Sequence, residues 1–125
     1  MILVDTSVII DFINGKENAI EKIGYYKGQI AISSITTAEV GIGFELKKQN
    51  KNKNIWNRLL SSEFKTFPVT NEIAKTYSKL QAKSLKTSGQ LSGFDGLIAA
   101  TALVHNLSLL TFDSGFKRVP GLKFI

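Results

Sequence analysis

"MILVDTSVII", residues 1–10, places a carboxylate where an apolar segment would be expected simply to continue. Ile2, Leu3 and Val4 have the character of a buried strand, Asp5 closes it, and two hydroxyls, Thr6 and Ser7, precede the apolar run Val8–Ile9–Ile10. The spacing predicts a strand over 2–5 feeding a short apolar helix over 7–13, a first β–α unit. The alternation continues along the chain. Further strands are expected at 29–33, 64–69 and 107–112, with helices at about 36–49, 55–62, 70–87 and 95–105. Thr70 is a plausible N-cap with Glu72 in the first turn, and Ile73, Tyr77, Leu80 and Ser84 mark the inner face of that helix. "DGLIAATALVH", from Asp95 to His105, is apolar nearly all round and is expected to be buried. Strands alternating with helices imply an α/β domain with a mainly parallel sheet. Neither a repeat nor a linker divides residues 1–125, so one domain is expected.

The 125 residues carry a formal charge of +6. That excess suits nucleic acid or another polyanion, although it also serves plain solubility. With no cysteine, disulfides, thiolate nucleophiles and cysteine–zinc sites are excluded, which fits a reducing, cytoplasmic setting. No basic segment precedes the first apolar run and no A-x-A-like cleavage site follows it, so no signal peptide is expected. No apolar stretch approaches the roughly 18 residues of a membrane span.

Sites in parallel sheets gather beyond the carboxyl ends of the strands. Four of the ten acidic residues fall there: Asp5 after the first strand, Glu39 in the helix after the second, Asp95 at the start of the apolar helix, and Asp113 after the last strand. Converging carboxylates raise one another's pKa unless a cation joins them. Hard divalent ions with oxygen ligands, Mg²⁺ or Mn²⁺, meet that need and assist attack on a phosphodiester. Each residue also has a local reading. Glu39 completes "TTAE", a capping-box spacing with Thr36 as N-cap. Asp95 could be an N-cap, Asp113 opens the turn sequence "DSG", and Asp5 could cap the helix that follows it.

Other chemistries find less support. His105 is the only histidine and sits near a helix C-terminus, where packing or the helix dipole accounts for it. Haloacid dehalogenase phosphatases also end a first strand in Asp but want a second Asp two residues later, where this chain has Ser7. No Walker motif or G-x-G-x-x-G fingerprint occurs, and "GIG" at 41–43 reads as glycines permitting close helix packing.

Taken together, "ILVDTSVIIDF", "ISSITTAEVGIG" and "LSGFDGLIAATALVHNLSLLTFD", the last carrying two, resemble the four ordered motifs of PIN-domain ribonucleases, in particular the VapC-type toxins of toxin–antitoxin pairs, and "FKRVPGLKFI" resembles their usual tail. The resemblance spans residues 1–125 and implies one PIN-like, three-layer α/β/α domain with a mainly parallel central sheet. It implies that Asp5, Glu39, Asp95 and Asp113 form the catalytic metal site for Mg²⁺ (or Mn²⁺), with Glu39 binding metal or orienting the attacking water, and Thr6 as a polar auxiliary. Many relatives read T-x-N-x-x-D-F near the end, whereas this chain reads "TFDSGF", with Asp113 at the amide position. The implied activity is endonucleolytic cleavage of structured RNA of the tRNA or rRNA class, leaving a 5′-phosphate and a 3′-hydroxyl.

The implied partners are RNA, a VapB-type antitoxin and a second copy of the chain, without a membrane. The alternatives are an RNA-processing PIN nuclease without an antitoxin and a catalytically silent PIN-like binding module. Trp56, Phe44 and Ile42 are candidates for apolar contact with a partner. Lys75, Lys79, Lys83 and Lys86 form a stripe that could track phosphates or simply be a solvated face. Lys47, Lys48, Lys51 and Lys53 carry the same two readings.

Overall fold

A computed structural model describes residues 1–47, 51–87 and 91–125; Lys48 lies outside them. Its strands are β1 (Ile2–Val4), β2 (Ile30–Ser33), β3 (Lys65–Phe67) and β4 (Ser108–Leu110), and the first three each lead into an α-helix. All pair in parallel in the order β3-β2-β1-β4, with Ile2 opposite both Ile30 and Ser108. Pro68 follows β3, where a residue lacking an N–H does not cost a ladder bond. Beyond β4 the tail returns, and Phe124 bridges Leu109 in parallel.

Because side chains alternate across a strand, β1 supplies both faces of the sheet. Ile2 and Val4 join Ile30, Ile32 and Leu110 in one core with Val8, Ile9, Ile23, Val40, Trp56 and Phe64. Leu3 points the other way, with Ala31 and Leu109, onto Ile98, Ala99, Ala102 and Phe116. Helices α1 (Thr6–Ile13), α2 (Glu17–Tyr25), α3 (Ser34–Lys47) and α4 (Lys51–Arg58) build the first core. Helix α6 (Gly93–Val104) covers the second face, with α5 (Asn71–Leu85) packed against it. The result is the expected three-layer α/β/α arrangement, with a sheet that is wholly parallel among the described residues.

Several details depart from the sequence reading. Helix α2 was not expected: its buried face consists of Ala19 and Ile23 alone, too thin a stripe for periodicity to reveal. Helix α3 starts at Ser34, directly from β2, so Glu39 lies in its second turn and Thr36 is not its cap. The third predicted helix is α4 plus a π turn over Leu59–Glu63. A Cβ at Gly41 or Gly43 would meet nothing within 4 Å, so these glycines are not close-packing sites. Trp56 is 3% exposed and packs edge-on against Phe64, which removes it from any contact surface.

Candidate active site

Parallel strands bring the exits of β1, β2 and β4 to one rim. Helix α6 must run from that rim back to the opposite edge, because a three-residue connection after Val104 leads into parallel β4. Its first turn therefore stands over the same exits. The order of the sheet thus gathers the four sequence-predicted acids.

Asp5 is only 3% exposed, and every oxygen has partners. Oδ1 accepts the Thr6 amide at 2.8 Å, capping α1. Oδ2 accepts two hydroxyls, from Ser7 and from Thr111, each at 2.8 Å. The Asp5 N–H donates to the Leu110 carbonyl, tying the β1 exit to the β4 exit. Thr111 reaches both ways, since its hydroxyl also accepts the Asp113 N–H at 3.0 Å. Asp5 is therefore a helix cap and a site carboxylate together.

Glu39 enters through Thr6, whose hydroxyl donates to Oε1 at 2.7 Å. A threonine has one hydroxyl proton, so the 2.9 Å contact between Thr6 and Thr36 must be a donation from Thr36. Thr36 and Glu39, read from sequence as a reciprocal cap, instead act as two ends of a chain through Thr6. Asp95 is likewise not the cap of its helix: Ser92 is, accepting the Asp95 N–H at 3.1 Å. Asp113 does make the turn its sequence suggested, Oδ1 accepting the Gly115 N–H at 2.8 Å, and it remains exposed.

Charge shows the convergence. Burial pushes the Asp5 carboxyl above its ordinary 3.8; the Ser7 and Thr111 hydroxyls and the Thr6 amide pull it back, and the charge of Asp113 raises it again. Burial also raises Asp95, followed by the charge of Asp5; the Ser92 hydroxyl opposes them, and Asp113 and Glu39 add to the rise. Asp95 thus feels all three other acids. They are nonetheless not a closed cage: no group of three or more His, Asp or Glu side chains among the described residues is gathered tightly enough to hold an ion alone. Mg²⁺ commonly takes only one or two carboxylates and keeps several waters, so an open set of hard, mutually repelling oxygens fits such an ion.

Ser7, Ser92 and Thr111 are the polar residues without a role in the sequence reading, and Thr36 has only that of a helix cap. Ser7 and Thr111 each sit two residues from an acid, but hydroxyls at such places are too common to signal a role. His105 is the α6 C-cap, stacked on Phe67 with ring centroids 3.9 Å apart, a packing histidine as expected. Lys75, Lys79, Lys83 and Lys86 are all exposed. Lys83 and Lys86 line one surface cavity together with Arg118, which follows the Asp113 turn.

A parallel sheet with acids at one rim defines a class, and sequence comparison agrees with it: residues 2–122 match the PIN domain family, and the chain belongs to that family. Within it, the chain is 34% identical to ribonuclease VapC1 of Rickettsia felis, over 99% of this chain and 94% of that protein. The fold is similar to that in the crystal structure of FitAcB from Neisseria gonorrhoeae, with TM-score 0.83 and 28% identity, covering 100% of this chain and 96% of that one. A toxin–antitoxin complex from Klebsiella pneumoniae gives TM-score 0.79 at 29% identity, over 98% and 95% of the two chains. No helix among the described residues is long and apolar enough to cross a membrane.

Proposed function

We propose that the chain is a VapC-type toxin: a divalent-metal-dependent endoribonuclease, cytoplasmic, dimeric and silenced by a cognate antitoxin. The observation that carries the reading is the buried Asp5, held at the sheet rim by three hydrogen bonds and electrostatically coupled to Asp95 and Asp113. The names of its relatives, ribonuclease and toxin, support RNA cleavage, and in this reading the Asp5 carboxylate would bind the metal. Asp5, Asp95 and Asp113 hold the ion in this reading, and Glu39 either binds it or orients the attacking water. A bound Mg²⁺ or Mn²⁺ supplies an activated water and neutralises charge developing on the phosphodiester.

The chain's own residues do the positioning. Ser7 and Thr111 fix the plane of the Asp5 carboxylate, so that its orientation is set before substrate arrives. Thr6 fixes Glu39 in the same way, and its buried hydroxyl cannot turn aside because Thr36 donates to it. Cleavage leaves a 5′-phosphate and a 3′-hydroxyl, and the substrate is structured RNA of the tRNA or rRNA class.

Cleavage-site mapping of cellular RNA after brief induction, paired with reactions on purified RNA, tests the proposal. Cleavage is expected with Mg²⁺ or Mn²⁺, to stop with EDTA, and to fall by about three orders of magnitude or more in Asp5→Asn and in Asp95→Asn, on the scale of losing a group that acts in the transition state. Undiminished cleavage in EDTA, or by both variants, overturns it.

A further inference from the structure

An exposed phenylalanine immediately precedes two of the four acids in the chain. Phe94 precedes Asp95 and is 46% exposed; Phe112 precedes Asp113 and is 42% exposed. Neither belongs to the two apolar cores or the side chains packed against them. Both rings also stand on fixed backbone. Phe94 lies in the first turn of α6, which Ser92 caps. Phe112 lies between Thr111, hydrogen-bonded to Asp5, and Asp113, which makes its own turn. Both positions lie at the same sheet rim: the segment after β4 is tied to Asp5 through Leu110 and Thr111, and α6 begins over the same strand exits.

We infer that Phe94 and Phe112 are stacking platforms for unpaired nucleobases on either side of the phosphodiester brought to the acids. The inference rests on the ribonuclease reading and adds what that reading lacks, the means of gripping RNA next to the cut. Every base has a π face, so stacking on a phenyl ring grips a strand without naming its sequence. A base inside a duplex cannot offer that face, so the rings select a loop, bulge or single strand at the cleavage point.

Charge beside the rings favours RNA as the occupant. Lys117 and Arg118, both exposed, occupy the 3-10 turn (Ser114–Arg118) that Asp113 caps, within six residues of Phe112. Arg118 shares a cavity with Lys83 and Lys86 of α5, so cations from two elements meet there. Aromatic rings beside a basic track are the pairing that single-strand binders use. An apolar protein surface laid over Phe94 and Phe112 would instead have to bury the neighbouring Asp95 and Asp113 carboxylates.

The test uses the full chain and short RNA oligonucleotides with 2-aminopurine at successive positions around a mapped cleavage site, in Ca²⁺ buffer for binding and in Mg²⁺ for cleavage. Phe94→Leu and Phe112→Leu keep apolar bulk and remove the π face; Phe94→Tyr and Phe112→Tyr restore it. Each leucine variant is expected to weaken binding of unpaired RNA roughly tenfold and to lose the 2-aminopurine quenching at one position, with the tyrosine variant recovering both. Binding of a fully paired duplex should not change. Leucine variants that bind and quench like the wild type overturn the platform while leaving the nuclease reading intact. The same holds for variants that lose self-association or antitoxin binding but keep RNA affinity, which make the rings a protein contact. A wild-type chain that neither binds nor cleaves RNA overturns both.

Discussion

The two oxygens of Asp5 have separate duties. Oδ1 starts α1 by accepting the Thr6 amide, while Oδ2 takes the Ser7 and Thr111 hydroxyls. Asn at this position keeps one oxygen for the amide and removes the charge. The folded carboxyl titrates above its ordinary 3.8, chiefly through burial. Between those two values the native state binds more protons than the unfolded chain, so the carboxylate costs stability increasingly as pH rises through that window. Above the raised value the full cost is present in metal-free protein. Asp5→Asn in EDTA should therefore be as stable as wild type or more stable, by about 1 kcal/mol, and that advantage should fade as pH falls through the raised pKa. Mn²⁺ should stabilise wild type more than the variant, because a ligand stabilises only through the native site. Thermal melts of both proteins across pH 4–8, with EDTA and with Mn²⁺, read all three effects. A variant less stable in EDTA at pH 7, with an undiminished Mn²⁺ shift, would show Asp5 to be a cap and nothing more.

At the scale of elements, what sequence could reveal was what repeats. β1, β2 and β4 are short apolar runs ended by polar residues, and α6 is apolar on every side, so their kinds and order were legible. So was the shared rim, since parallel order alone brings Asp5, Glu39, Asp95 and Asp113 to it. Helix α2 was hidden because two buried residues make no pattern, and Thr36 was misread because no loop separates β2 from α3. The links through Ser7 and Thr111 depend on side-chain directions fixed only when β1 lies beside β4. Contact between α5 and α6 is another such feature. A Cβ on Gly96 would come within 2.7 Å of the Tyr77 ring, so α6 approaches α5 as closely as glycine allows. Gly96→Ala should cost about 1–3 kcal/mol by overpacking and, by shifting the turn that carries Asp95, lower cleavage as well. Adding Tyr77→Leu should return most of the lost stability. Calorimetry on the double-mutant cycle checks this, and additive effects would place the strain elsewhere.

On the scale of the whole molecule, a further set of apolar side chains is exposed on α1 and α3. The cations of α5 and of the Asp113 turn serve RNA in the reading above, which leaves the apolar side of α1 and α3 for protein. Ile42 and Leu46 are 53% and 79% exposed, one helical turn apart on α3, and Ile10 of α1 is 40% exposed. Ile10 also lines a groove with Ile13, Val40 and Phe44 that reaches Glu39. Of the three contact residues proposed from sequence, Ile42 is on this surface, Phe44 is partly buried in the groove, and Trp56 is in the core. We propose that this face carries the homodimer contact or the antitoxin segment. Two aliphatic side chains buried at such a contact contribute about 1.5–3 kcal/mol each, so charging both should weaken association by roughly a hundredfold or more. Ile42→Lys with Leu46→Lys should sediment as a monomer where the wild type is a dimer, and should lose co-purification with the product of an adjacent upstream gene if the antitoxin also uses this face. The monomer's melting temperature should hardly move, because neither side chain belongs to the core. A wild-type chain that is monomeric across the micromolar range and binds no neighbour's product would leave the exposed face without a partner and refute the assembly.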